Sequence, residues 1–128
     1  MIYLDTSVAL AHLLGEDRIP PATLWDQLLV SSRLLEYELW TRVHARGLAP
    51  VAGDAARALL GRVALAELSP VVLERALEPF PAPVRTLDAL HLATAAYLRG
   101  QGQPVQLATY DERMAEAAGR LGLPRYPC

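Results

Sequence analysis

The sequence contains no lysine and no asparagine, and its single cysteine, Cys128, is the last residue. One cysteine cannot form a disulfide within the chain, which favours a reducing compartment. No uncharged apolar run approaches the roughly 18 residues needed to cross a bilayer, and the N-terminus lacks the basic and apolar segments of a signal peptide. These absences predict a cytoplasmic protein that does not enter the membrane.

The absence of lysine leaves arginine as the only basic residue type apart from histidine. The sequence has 12 arginines against 14 acidic residues, which gives a formal net charge of −2. A bias toward arginine is typical of GC-rich coding, although arginine also binds phosphate oxygens better than lysine does. Proteins that bind nucleic acid are often basic overall. The near balance of charge weakens that interpretation without excluding it, because a local patch or a bound cation can supply positive charge.

The length of 128 residues predicts one domain, spanning residues 1–128, and the composition is that of a globular chain. Short apolar runs alternate with segments of helical periodicity, and no internal repeat is present. The predicted strands are 2–4, 29–31, 65–68 and 105–108. The predicted helices are 8–14, one that opens at Pro20 and carries Leu24, Trp25, Leu28 and Leu29, then 32–44, 54–63, 70–77, 86–98 and 111–121.

This order of elements predicts an α/β fold in which helices cover both faces of a mostly parallel sheet. Ligands of such sheets bind beyond the carboxyl ends of the strands. Asp5 directly follows the first strand, and Asp111 follows the last one. Glu38 and Asp88 lie inside helices, next to apolar residues. These four carboxylates are the candidates for a shared site.

Each candidate also has an ordinary structural explanation. Asp5 and Asp111 suit the N-cap position of the helices that follow them. The helix dipole favours Asp88 in a first turn, while Glu38 fits the polar face of an amphipathic helix, as does its one rival, Glu36. Asp88, however, is bracketed by leucines and alanines. An unpaired carboxylate in packed surroundings costs several kcal/mol, so Asp88 requires a partner, such as a cation shared with other carboxylates.

Four short motifs resemble those of the PIN-domain family, especially the VapC-type toxins of bacterial toxin–antitoxin pairs. In chain order they are IYLDTS at 2–7, SSRLLEYEL at 31–39, LDALHLATA at 87–95 and TYDERM at 109–114. The third motif is the most specific, and the second selects Glu38 rather than Glu36. The four motifs occur in the family's order and together cover essentially the whole chain.

The resemblance implies an α/β/α sandwich and a metal-dependent endoribonuclease with an RNA substrate. It implies that Mg²⁺ or Mn²⁺ is held by Asp5, Glu38, Asp88 and Asp111, which suits the preference of these hard cations for oxygen ligands. It further implies a homodimer and, for the toxin branch, a cognate antitoxin protein that blocks the site.

Several neighbouring side chains are candidates for supporting the carboxylates or for binding RNA. Thr6, Ser7 and Thr109 are placed to hydrogen-bond the carboxylates, or else simply cap helices and end a strand. His91 lies one turn after Asp88 and shares its face, so it either contacts the site or packs behind it. The arginines nearest the motifs, and therefore candidates for RNA phosphates, are Arg33, Arg42, Arg85 and Arg113.

Other functions remain to be weighed against the nuclease. A phosphatase of the haloacid-dehalogenase type uses a second aspartate two residues after the first, where this chain has Ser7, and a lysine, which this chain lacks. A PIN-like binding module without catalysis and an RNA-processing nuclease without an antitoxin both stay open. The sequence does not identify the target RNA, because target choice depends on surface shape rather than on the acidic motifs.

Overall fold

The computed structural model describes residues 1–128 as four strands, six α-helices and one short 3₁₀ helix. The strands are β1 (Ile2–Leu4), β2 (Leu29–Ser32), β3 (Val63–Ala66) and β4 (Gln106–Ala108). The α-helices are α1 (Thr6–Leu14), α2 (Arg33–Ala45), α3 (Ala49–Gly61), α4 (Pro70–Leu77), α5 (Thr86–Gly100) and α6 (Glu112–Arg120), and the 3₁₀ helix is Ala22–Asp26. None of the helices is both long enough and apolar enough to span a membrane.

The four strands form one fully parallel sheet in the order β3-β2-β1-β4. The chain steps from β1 outward to β2 and β3, and then crosses back to place β4 on the other side of β1. Because all strands are parallel, their carboxyl ends share one edge of the sheet. The reversal of strand order between β1 and β4 creates a crevice at that edge, where ligands of such sheets bind.

Helices cover both faces of the sheet, and the alternation of side chains along β1 shows how. Ile2 and Leu4 point into a core shared with α1, α2 and α3. Tyr3 points to the opposite face, into a core that includes Leu92 of α5 and Met114 of α6. Successive strand residues face opposite sides of a sheet, so the short β1 contributes to both cores. The predicted α/β/α arrangement around a parallel sheet is confirmed.

The prediction of a helix that begins at Pro20 is wrong. Only the short 3₁₀ helix forms there, Leu28 is 67% exposed, and Leu29 belongs to β2. The leucines that are spaced as in a helix belong to two different elements. Leu24 is the buried residue of the 3₁₀ helix, and Leu29 is the apolar first residue of the buried strand β2. A short apolar run of this kind has the same pattern in a strand as in a helix.

The predicted boundary between the third long helix and its strand is also wrong. Helix α3 begins at Ala49 rather than at residue 54, with Pro50 in its first turn, as proline prefers. Asp54 is therefore not an N-cap but an exposed residue inside α3, paired with Arg57. Strand β3 starts at Val63, two residues before the predicted strand. Helix α1 likewise begins two residues early, at Thr6, and the other elements match the predicted bounds within two residues.

The C-terminal segment after α6 adds a contact to the sheet that the sequence did not predict. Gly122 adopts a left-handed conformation with φ of 81° and turns the chain back toward β4. Leu107 then donates its N–H to Pro124 at 2.8 Å, and Tyr126 donates its N–H to the carbonyl of Leu107 at 2.8 Å. The segment therefore covers the outer edge of β4.

Candidate metal centre

The topology brings three of the four predicted acids to the carboxyl edge beside β1 and β4. Leu4 pairs with Ala108, so Asp5 follows β1 next to the end of β4, and the Asp5 N–H donates to the Ala108 carbonyl at 3.0 Å. Asp111 stands at the start of α6, just beyond β4. Helix α5 runs back toward the beginning of β4, so its first turn, with Asp88, returns to the same edge.

Asp5 is 4% exposed and is held through one of its two carboxylate oxygens. Its Oδ2 accepts hydrogen bonds from Ser7 Oγ at 2.6 Å and from Thr109 Oγ1 at 2.8 Å. The Ser7 hydroxyl oxygen in turn accepts from the backbone N–H of Tyr110 at 3.0 Å, which fixes its orientation. No hydrogen bond from the protein reaches Oδ1, so this oxygen is available to an external ligand.

Glu38 is held in the same way through a single oxygen. Its Oε1 accepts from Thr6 Oγ1 at 3.0 Å and lies 2.6 Å from His91 Nε2. The other ring nitrogen of His91 lies 2.7 Å from the hydroxyl of Tyr3, and burial raises the pKa of that hydroxyl above its usual range. The side chain of Glu36, in contrast, is 44% exposed and pairs with Arg33. Only Glu38 therefore joins the polar network behind the crevice.

Asp111 and Asp88 differ in how the protein holds them. Asp111 caps α6, because its Oδ1 accepts from the backbone N–H groups of Arg113 at 2.9 Å and Met114 at 3.2 Å. Asp88 is half-buried and makes no side-chain hydrogen bond. Burial, followed by the negative charges of Asp111 and Asp5, raises the pKa of Asp88. Repulsion between these three carboxylates is therefore part of the site.

The donor set fits a hard divalent cation in chemistry and in charge. Asp5, Glu38 and Asp111 each keep one oxygen free of protein donors, and Asp88 keeps both. Mg²⁺ and Mn²⁺ prefer such oxygen ligands, and a cation would relieve the repulsion that raises the pKa of Asp88. As the side chains stand, no three His, Cys, Asp or Glu groups are close enough to hold one ion together. The residues therefore fit the ion in the type and charge of their donor atoms, but their side chains do not form a complete set of ligands around one point.

The structure places all four predicted supporting residues in hydrogen bonds to the candidate carboxylates. Ser7 and Thr109 contact Asp5, whereas Thr6 and His91 contact Glu38. A role for these residues or for the four acids in metal binding stays a prediction. Sequence reasoning missed Tyr3, although a phenol in a buried strand usually requires a hydrogen-bond partner.

Comparison with known proteins identifies the family. Residues 2–120 match the PIN domain family, and the chain therefore belongs to it. Ribonuclease VapC35 of Mycobacterium tuberculosis strain H37Rv is 33% identical to this chain, with 96% of this chain and 93% of the relative covered. Ribonuclease VapC46 of the same strain is 39% identical, with 95% and 93% covered, and Ribonuclease VapC47 of strain CDC 1551 is 32% identical over the same shares. The resemblance predicted from the four motifs is confirmed.

Proposed function

We propose that this protein is a metal-dependent endoribonuclease that hydrolyses RNA phosphodiester bonds and serves as the toxin of a type II toxin–antitoxin pair. The observation that carries the proposal is the convergence of carboxylates at the β1–β4 crevice, where the charges of Asp5 and Asp111 raise the pKa of Asp88. The similarity to proteins named ribonucleases supports RNA as the substrate class.

In this proposal Asp5, Asp88 and Asp111 hold Mg²⁺ or Mn²⁺, directly or through water. When bound, the ion lowers the pKa of the attacking water and stabilises negative charge on the scissile phosphate. Glu38 completes the site or orients the attacking water with Oε2, because its Oε1 is already held by Thr6 and His91. Water attacks phosphorus and the bond to the 3′-oxygen breaks, which leaves 5′-phosphate and 3′-hydroxyl ends.

RNA binding by a protein of net charge −2 requires arginines that are not neutralised by the protein itself. Arg33, one of the predicted candidates, forms ion pairs with Glu36 and Glu67 and is therefore not available to RNA phosphates. Four arginines form no side-chain ion pair or hydrogen bond and either lie within or next to one of the four motifs in the chain or contact a motif residue: Arg18, Arg42, Arg85 and Arg113. We assign the phosphate contacts of the RNA to these four side chains.

The positions of these arginines support the assignment. Arg85 affects the pKa of Asp88 through its charge, and Arg18 stacks over the ring of Tyr110 at 5.2 Å, beside the residue that caps α6. Arg42 lies one helical turn after Glu38 and so shares its face. Arginine forks match the geometry of phosphate oxygens.

The proposal extends to two protein partners. The similarity to ribonucleases named VapC supports a cognate antitoxin protein that blocks the site. A homodimer is proposed from the family resemblance alone. Expression of the chain alone should arrest growth, and coexpression of an adjacent antitoxin gene should reverse the arrest. Light scattering should report a dimer. Growth without arrest would favour an RNA-processing nuclease that has no antitoxin.

A cleavage assay with purified protein tests the central claim. Structured and single-stranded RNA should be cut in the presence of Mg²⁺ or Mn²⁺, and EDTA should stop the reaction. Asp5→Asn should reduce cleavage below detection, and sequencing of RNA ends in cells should show cuts that depend on Asp5. Full activity of Asp5→Asn would refute the assignment, and tight RNA binding without cleavage would identify a binding module.

Helix α2 offers a matched pair of variants for the same assay. Glu38→Gln removes a carboxylate that faces the polar network, whereas Glu36→Gln makes the identical chemical change at a surface ion pair with Arg33. The first variant should lose at least about tenfold in kcat, equivalent to about 1.4 kcal/mol of barrier. The second should cleave as the wild type does. Equal effects of the two variants would remove Glu38 from the site.

A further inference from the structure

We propose that His91 is a positioning residue which, itself oriented by Tyr3, fixes the carboxylate of Glu38 for metal binding. The inference rests on the proposed function, since it concerns the same site. It assigns a task to two buried residues of the first and third motifs, Tyr3 and His91, that are not among the four acids.

The contacts form a continuous chain across three elements. Tyr3 of β1 is fully buried, and its hydroxyl lies 2.7 Å from Nδ1 of His91 on α5, which is 1% exposed. Nε2 of the same ring lies 2.6 Å from Oε1 of Glu38 on α2. The rings of Tyr3 and His91 also pack edge to face, with centroids 5.7 Å apart. The position of the Glu38 carboxylate is thus tied to the centre of the sheet and not only to its own helix.

The hydrogen bonds that link Tyr3, His91 and Glu38 have only one consistent direction when the imidazole carries a single proton. An ionised carboxylate can only accept hydrogen bonds, so the ring proton must sit on Nε2, facing Glu38. Nδ1 then has a free lone pair and accepts the hydroxyl proton of Tyr3. The hydrogen bond made by one ring nitrogen sets the role of the other, so Tyr3 maintains the tautomer that donates to Glu38.

The arrangement differs from that of a histidine that merely fills the core. Both ring nitrogens contact side chains rather than backbone carbonyls, and Thr6 Oγ1 lies 3.3 Å from the nitrogen that faces Glu38. Among the hydrogen-bonded residues Tyr3, His91 and Glu38, only Glu38 is partly exposed, with 20% of its side chain accessible. The network is therefore buried except at Glu38, which is one of the four proposed metal ligands.

A titration of Mn²⁺ followed by electron paramagnetic resonance measures the effect without relying on catalysis. His91→Leu should weaken Mn²⁺ binding about 10- to 100-fold, the usual loss when a hydrogen-bond partner of a metal ligand is removed. His91→Gln should recover most of the affinity, because its amide N–H can donate to Glu38. Tyr3→Phe should cause a smaller loss of the same kind. RNA cleavage should fall in the same order.

Leu92→Ala is the matched control for a loss of packing on the same helix. Leu92 is fully buried next to His91 in the chain, and its apolar side chain cannot hydrogen-bond a carboxylate, so its truncation should lower the melting temperature and leave Mn²⁺ affinity unchanged. Wild-type affinity in both His91→Leu and Tyr3→Phe would overturn the inference. If His91→Leu does not fold, the affinity of Tyr3→Phe decides.

The same titration separates failure of this inference from failure of the proposed function. Wild-type protein that does not bind Mn²⁺, or that binds it equally well after Asp5→Asn, would overturn both proposals. Binding that is lost in Asp5→Asn but unchanged in His91→Leu and Tyr3→Phe would overturn the positioning role alone.

Discussion

Asp5 serves the fold and the candidate site with different atoms. Its Oδ2 accepts from Ser7 and Thr109 and so connects the end of β1 to the end of β4, while Oδ1 receives no hydrogen bond from the protein. Asparagine at this position would keep one oxygen acceptor and lose the charge. Asp5→Asn is therefore a test of charge rather than of folding.

Asp88 should make the stability of the metal-free protein depend on pH. Burial and the charges of Asp111 and Asp5 raise its pKa above the ordinary value of 3.8, so the native state binds this proton more tightly than the unfolded state does. Stability then falls as the pH rises from 3.8 through the raised pKa. Asp88→Asn removes the penalty, so the variant should melt at a higher temperature than the wild type at neutral pH.

Thermal melts in EDTA at about pH 3 and about pH 7 would measure this difference, which should vanish at the lower pH, where the wild-type carboxyl is protonated. Excess Mg²⁺ at neutral pH should reverse the ranking by stabilising the wild type, since a ligand of the native state raises stability. A difference in melting temperature that is the same at both pH values would contradict the prediction.

Glu36 and Glu38 show what can be predicted about single residues. In the structure Glu38 lies one turn after the buried Leu34 and Leu35, whereas Glu36 is exposed and pairs with Arg33. Helical periodicity left the two residues as rivals, and only the second motif selected Glu38. The contact of Glu38 with His91 was not predictable, because it joins residues 53 positions apart in the chain. Such long-range pairs depend on how the helices pack against the sheet.

At the scale of elements, helix α6 depends on the same residue as the candidate site. Asp111→Ala should cost about 1 kcal/mol of stability through the lost N-cap and should also abolish cleavage. Asp111→Asn should keep the cap, because asparagine caps helices as well as aspartate does, and should still abolish cleavage. Chemical denaturation measures the first effect, and the RNA assay measures the second.

Helix α4 supplies the control for this comparison. Ser69 caps α4 through a bond to Val72 N–H at 3.4 Å and takes no part in the candidate site. Ser69→Ala should lower stability by a similar amount, about 1 kcal/mol, and leave cleavage intact. Normal cleavage by Asp111→Asn would show that the cap, and not the charge, is what Asp111 contributes.

Element boundaries followed the sequence only where the chain supplies a distinct signal. Ser69 followed by Pro70 predicted the start of α4, and Gly15, which adopts a left-handed conformation, predicted the end of α1. Helix α3 starts with Pro50 but without a side-chain N-cap, whereas Asp54, further along the same helix, has the chemistry of an N-cap, so the beginning of α3 was placed too late. Apolar residues alone did not separate α3 from β3.

At the scale of the whole molecule, the distribution of paired and unpaired arginines should govern RNA binding. Binding to single strands weakens with salt by a slope of about 0.7 per phosphate contact in a double logarithmic plot. In the cleavage-deficient Asp5→Asn background, Arg18→Gln or Arg42→Gln should lower affinity and reduce the slope by about that amount. Fluorescence anisotropy with a labelled RNA measures both quantities.

Arg57→Gln provides the matched control, because Arg57 is already paired with Asp54 on the exposed surface of α3. It should change neither the affinity nor the slope. If all three glutamine variants bind RNA alike, the phosphates are held elsewhere on the protein.

The overall architecture was predictable, since alternating strands and helices specify a parallel sheet and bring residues that follow the strands to one edge. The order of the strands was not predictable from the chain. The proximity of Asp5 to Thr109 depends on β4 pairing with β1 rather than with β3. The sequence therefore predicted that Asp5 and Asp111 share this edge and that Thr6, Ser7 and Thr109 are candidates to hydrogen-bond the carboxylates, but not which carboxylate each of them contacts.

The C-terminal segment that pairs with β4 also bears on how the protein behaves at high concentration. Without residues 124–128, the N–H and carbonyl of Leu107 would lose their partners and the strand would offer an open edge to other molecules. A protein truncated after Leu123 should therefore form assemblies larger than the proposed dimer, detectable by dynamic light scattering, while the protein that retains residues 124–128 does not. Residues 124–128 would then prevent association between molecules by covering the edge of β4.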